Sequence, residues 1–327
     1  MALHAVQNIG DAASATREFL TPINLRRCLK LAFVAFFVGG GMNIPTGQAG
    51  SSGTSDQIPT NGALVTLTDD VLVLVAEIVG VVVILGLAFG IVGAIMEFVF
   101  IESLRTGEVS IRRHWHNRWR QGLRLFGFRI LLTIPVLAIF FGWTAAFLLP
   151  VVVGIGEPMI AAGTFLLGIP VLFVVGIVFG LISTFTTVFV VPLMIKDDSG
   201  VLATWGMLWG SIKSAWKQYL AYASIGFVLT IATGLLASIL LGLMALVLLI
   251  PLGLLGLATY LTVSLSSTVG IAIVALLAIF FVLAMVIAWA VVQIPVLAYL
   301  RYYALLVLGD VEPEFDIIPD QREAIRE

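Results

Sequence analysis

Charge is scarce in this chain. Asp, Glu, Lys and Arg together make up 11% of its residues, less than half of the roughly 25% that a soluble domain carries. Hydrophobic residues make up 60% and mean hydropathy is +1.12, so a water-solvated globule is excluded as the class. Cysteine is nearly absent. Cys28 stands alone, which excludes an intrachain disulfide framework and any multi-cysteine metal site. The opening stretch, MALHAVQNIGDAASATREFL, has no basic segment leading into an apolar one, so it does not read as a cleavable signal. There is no Asn-x-Ser/Thr sequon. HExxH, GxSxG, a P-loop and a dinucleotide-binding glycine fingerprint are all missing, so the expectation is a protein that is not an enzyme and holds no cofactor. The longest polar insertion, 43–70, is too short to be a soluble domain of its own.

What the chain has instead is long apolar runs, at 31–42, 71–100, 126–153, 160–194, 220–249 and 269–306. A hydrocarbon layer of about 30 Å takes about 20 helical residues to cross, and the last five runs are long enough. The first covers roughly 18 Å at 1.5 Å per residue and needs help from snorkelling cations such as Arg27 and Lys30. All 17 Lys and Arg residues fall in the N-terminal segment, in 101–129, in 196–217, or at and beyond Arg301. The alternate loops, 43–70, 151–159 and 250–268, hold none; their only charges are Asp56, Asp69, Asp70 and Glu157. Cations collect on the cytoplasmic side, which predicts six crossings with both termini cytoplasmic in a cell membrane.

The cation-rich segments are amphipathic. In EVSIRRHWHNRWRQGLRLFGFR, residues 108–129, helical spacing puts Ile111, Trp115, Trp119, Leu123 and Phe126 on one arc, and Arg113, His116, Arg120 and Arg124 opposite; Arg112 lies inside the apolar arc. Val201, Trp205, Leu208, Trp209, Ile212 and Trp216 repeat the pattern, with Lys213 and Lys217 on the other side. A fainter version runs through Ala5, Ile9, Ala12, Ala13, Thr16 and Leu20. Tryptophan beside basic residues is the composition of a headgroup-level helix. Arg112, Arg113, Trp115, Trp119, Arg120, Arg124, Trp205, Trp209, Lys213, Trp216 and Lys217 are therefore the candidate contacts to anionic lipid. Nucleic acid is not expected as a partner, because topology already explains the charge. His114 and His116 diverge on a helix and make no chelating pair.

The sequence thus predicts an all-α, polytopic membrane helix bundle. It has six transmembrane helices as three hairpins, joined by cytoplasmic amphipathic helices at 101–125 and 197–219. A cytoplasmic amphipathic segment, 1–30, an extracytoplasmic loop, 43–70, and an acidic cytoplasmic tail, 309–327, complete it. Polar groups inside the spans are few: Glu77, Glu97, Arg129, Gln293 and Arg301. Burying a charge in hydrocarbon is costly, so each is a candidate for structure or transport, and Glu97 with Arg129 reads as an ion pair tying two spans.

The stretches FIESLRTGEVSIRRHWHNRWRQGLRLFGFRILL, WGSIKSAWKQYLAY and VLAYLRYYALLVLGD followed by FDIIP resemble uncharacterised six-span membrane proteins of halophilic archaea. More distantly they are similar to the membrane domain attached to glycerophosphoryl diester phosphodiesterases. The catalytic domain of those enzymes has no counterpart here, so the resemblance implies a membrane fold and no activity. The expected role is to organise or sense lipid, or to scaffold a second copy or another membrane protein. A small-solute or lipid transporter is the alternative.

Overall fold

The structure, a computed structural model, describes residues 4–21, 24–40, 69–153, 158–263 and 267–326. These residues form helices and turns. Two short helices come first, α1 (His4–Leu20) and α2 (Leu25–Gly40). Three long ones follow: α3 (Asp69–Thr106), α4 (Ile111–Val153) and α5 (Pro158–Phe185). A π-helical turn (Thr186–Val190) leads from α5 into α6 (Val191–Asp197) and then α7 (Val201–Ser214). The longest pair is α8 (Trp216–Thr262) and α9 (Thr268–Val311), and α10 (Pro319–Arg326) closes the chain. Among the described residues, five helical stretches are long and apolar enough to cross a membrane, which makes this a multi-pass membrane protein by composition. The 16-residue α2 covers about 24 Å, and its predicted continuation toward 43–70 lies outside the described residues.

The packed core sits at one end. Phe98, Phe100, Ile101 and Leu104 of α3, Phe189 and Val190 of the π turn, Leu193 and Met194 of α6, and Tyr303 to Leu308 of α9 are buried together. Away from that end the helices separate. Every large apolar side chain from Ile78 to Leu85 is more than half exposed, on all sides of two turns of α3. Water could not tolerate such a surface; lipid solvates it without cost. Exposed apolar bands run from Leu131 to Leu148 on α4 and from Phe165 to Leu181 on α5. Each covers about 26 Å of helix, close to the hydrocarbon thickness.

Three features depart from the sequence reading. The predicted outer loop at 250–268 is mostly helix: α8 runs to Thr262 with Pro251 inside it, a loss of one backbone donor that membrane-spanning helices tolerate. Residues 111–125 are the first turns of α4, continuous with its span, since nothing between Arg124 and Phe128 breaks the helix. The second amphipathic segment is a helix of its own, stopped at Ala215, whose backbone is non-helical (φ −121°, ψ 33°). Third, α1 turns Asn8, Ala12, Ala15, Thr16 and Phe19 inward, a face rotated from the predicted one, and packs them against α9. Phe19 meets Tyr302 edge-on at 6.1 Å.

Turn chemistry fixes the α3–α4 connection. Gly107 adopts φ +70°, the left-handed conformation that terminates helices and that a side chain would resist. Tyr302 Oη and Gln321 Nε2 both donate to the Leu104 carbonyl, and Gln321 reaches Arg105 O as well, so the last turn of α3 is capped by α9 and α10 together. At the opposite end, the Ser267 hydroxyl accepts from Gly270 N to start α9.

Candidate functional site

Two sets of polar residues lie at the packed end. The first is a belt of cation–tryptophan pairs. On α4 the Arg120 guanidinium lies 5.6 Å from the Trp119 ring. Lys213 of α7 lies 5.7 Å from Trp209, and at the start of α8 Lys217 lies 5.7 Å from Trp216. All three tryptophans are exposed. A cation over an indole face is held by the ring quadrupole and keeps its N–H groups free. Arg112, Arg120, Arg124, Lys213 and Lys217 have no carboxylate partner among the described residues, whereas Arg113 is paired with Glu108 at 3.2 Å. Trp115 and Trp205 differ from the other candidates: both are half-buried against the core, and Trp205 Nε1 donates to Thr186 Oγ1 at 3.0 Å.

The second set is a buried charge cluster. Glu97 is 2% exposed and accepts from Arg301 Nη2 through one carboxylate oxygen; the other lies 3.7 Å from Arg129 Nη2. Arg129 also donates to Thr187 Oγ1 at 2.9 Å, on the π turn. The Glu97–Arg129 pair expected from the sequence is therefore one half of a triad joining α3, α4 and α9. The π turn contributes directly, because its extra residue brings Thr186 and Thr187 to face Trp205 and Arg129 in turn. Two guanidinium groups share one carboxylate, so the cluster keeps a net positive charge. Behind it the Tyr222 and Tyr303 rings stack, 5.5 Å apart and 17° from parallel. Glu77 and Gln293 do not join the cluster. Glu77 is exposed, 20 residues up α3 and hence about 30 Å away along the helix, and Gln293 is half-buried beside Gly39 of α2.

Sequence reasoning missed two further polar devices. Gln121 Nε2 donates to Met194 O (3.0 Å) and to Asp198 Oδ1 (2.6 Å), while Arg118 reaches Glu102 at 3.3 Å, so α3, α4 and the end of α6 are tied below the triad. At the chain ends, Arg326 donates to Asn8 and Asp11 of α1 and to Asp310 of α9, and Arg322 pairs with Asp310 and Asp316. The hydrogen bond to Asp310, with that to Asp11, raises the Arg326 guanidinium pKa. A bare helical sequence offers no long-range signal for either. His114 is buried and His116 exposed, on different sides of α4, as their spacing requires.

Chemically, the belt offers free cation donors beside amphipathic rings, which suits phosphate oxygens at a bilayer surface. The triad is internally satisfied and suits register between helices. Neither the curated proteins nor the solved structures contain a match to this chain. One family model does match, over residues 3–318, nearly the whole chain. The chain is therefore a member of a family of unknown function, DUF7544.

Proposed function

We propose that this is a six-pass, non-enzymatic protein of the cell membrane that grips anionic lipid headgroups at its cytoplasmic face and so organises or senses lipid. The observation that carries the reading is the belt: three exposed tryptophans, each with a cation across its ring, at the end where the charge collects. Along α4 Trp119 lies about 15 Å from Arg129, and along α8 Trp216 lies about 9 Å from Tyr222, both on the side of the triad away from the exposed apolar bands. Arg326 of α10 binds Asn8 and Asp11 of α1 at this same end, which, with the positive-inside rule, supports cytoplasmic termini. A sixth crossing, by α2, is supported by its start beside the α3–α4 turn, while α3 starts about 57 Å away, at its other end. The archaeal resemblance and the likeness to the phosphodiesterase membrane domain fit a lipid-facing role. No nucleic acid is involved.

The apolar band of α8, from Leu220 to Leu261, covers about 63 Å, twice the hydrocarbon thickness. That excess is the surface on which a second copy, or another membrane protein, would pack. Transport is the weaker reading, since Glu97 is locked between two guanidinium groups and Glu77 and Gln293 stand apart from it.

Tryptophan quenching by lipids brominated on the acyl chains close to the headgroup tests the belt. At equal mole fraction, brominated phosphatidylglycerol should quench more than brominated phosphatidylcholine, and Trp119→Phe/Trp209→Phe/Trp216→Phe should abolish the difference. Equal quenching of the wild type by both lipids would refute headgroup selection.

A further inference from the structure

Outside the belt, the N-terminal end of α2 carries three cations, two of which the fold leaves exposed. Arg26, Arg27 and Lys30 have no carboxylate partner among the described residues, and they line a crevice of about 410 Å³ against the turn between α3 and α4. Their roles differ. Arg27 faces inward: its Nη2 donates to Gly107 O at 3.1 Å, it lies 4.9 Å from the Phe19 ring, and its buried Nε has no partner among the described residues. Arg26 and Lys30 are exposed, one helical turn apart on the crevice side, and only a long contact of 3.4 Å links Lys30 Nζ to Val109 O. The turn contributes the hydroxyl-bearing Ser110 and the carboxylate of Glu108, which is already engaged by Arg113.

From this geometry, and resting on the cytoplasmic orientation and lipid reading above, we infer that the crevice is a discrete phosphate-binding site for a single anionic phospholipid. Arg26 and Lys30 hold the phosphate oxygens; Arg27 stiffens the wall. A volume of about 410 Å³ has room for a glycerophosphate head. What selects a lipid over a free phosphate is the surface directly beyond it. Leu29 and Phe33, on the same side of α2 as Arg26 and Lys30, are exposed apolar residues, and Phe33 is about 10 Å further along the helix than Arg26. An acyl chain leaving the phosphate meets that stripe as α2 enters the bilayer. The arrangement pairs fixed charge at the interface with apolar surface at chain depth, the two requirements of a lipid site.

Isothermal titration of the full-length, delipidated protein in non-ionic detergent separates the sources with three probes. Dioctanoyl phosphatidylglycerol carries phosphate and chains, dioctanoylglycerol chains alone, and inorganic phosphate the anion alone. Wild type should bind the phosphatidylglycerol in preference to both others. Arg26→Gln/Lys30→Gln, two exposed positions that leave Arg27 in place, should weaken it by about tenfold or more, the loss of two charge-assisted contacts. Phe33→Ser should weaken the lipid and leave inorganic phosphate unchanged. Undiminished lipid affinity in Arg26→Gln/Lys30→Gln, with loss in Arg120→Gln/Lys213→Gln/Lys217→Gln, would overturn the crevice and leave the belt standing. Inorganic phosphate binding as tightly as the lipid, or dioctanoylglycerol doing so, would overturn the phospholipid assignment. No lipid binding by wild type at all would sink the belt and the crevice together.

Discussion

Glu97 is the residue on which the packed end turns, because it is the single carboxylate between Arg129 and Arg301. Removing one partner of a buried ion pair leaves an uncompensated charge, at a cost of about 3–5 kcal/mol, whereas a partner with an alternative costs less. Glu97→Gln should therefore lower the melting temperature of the purified protein far more than Arg129→Gln, since in the latter Arg301 still meets the carboxylate. Equal losses would mean that the triad does not act as a unit. Packing makes a second residue-scale prediction. A Cβ at Gly122 would stand 2.5 Å from Ile95 Cγ1 and 2.8 Å from Ile95 Cα, so α3 and α4 touch there backbone to backbone. Gly122→Val should destabilise by about 1–3 kcal/mol or more, measured by denaturant titration in detergent, while the same change at Gly127, which has open space around it, should cost much less. The sequence made the Glu97–Arg129 pair readable because two opposite charges in apolar runs have few other solutions. Arg301 was legible only as an interruption of its span, since which helix it faces depends on the rotation of α9.

At the scale of elements, amphipathic stretches were legible and their destinations were not. Hydrophobic periodicity says that a face is buried, but not whether protein or lipid buries it. On α1 the answer is α9, with Phe19 on Tyr302; on α4 and α7 it is split, Trp115 and Trp205 turning to the core and Trp119 and Trp209 to the outside. The acidic tail reads as polar and solvated, yet Ile317 and Ile318 are buried and Gln321 caps α3, a contact with no local sequence signal. That cap and the Arg326 contacts make α10 part of the fold. Deleting residues 319–327 should lower the melting temperature by several degrees and open α1 to protease, monitored by mass spectrometry of the fragments. A truncated chain that melts with the full-length protein would show α10 to be an appendage.

For the whole molecule, charge and hydropathy made the membrane class and the five long apolar runs legible, while the arrangement of packing did not follow from either. The core gathers at the end rich in charge, and the far halves of the helices are left to lipid. Topology has a direct check in a Cys28→Ser background: Asp56→Cys should react with a membrane-impermeant maleimide added to intact cells, and Glu323→Cys only after lysis. The central claim, that the belt recognises anionic headgroups, is tested most directly by the melting temperature of the protein in liposomes of rising phosphatidylglycerol content. The wild type should gain stability with anionic lipid, and Arg120→Gln/Lys213→Gln/Lys217→Gln should not, with both alike in phosphatidylcholine alone. If the variant gains as much as the wild type, the cations serve orientation in the membrane and the lipid-binding account is wrong.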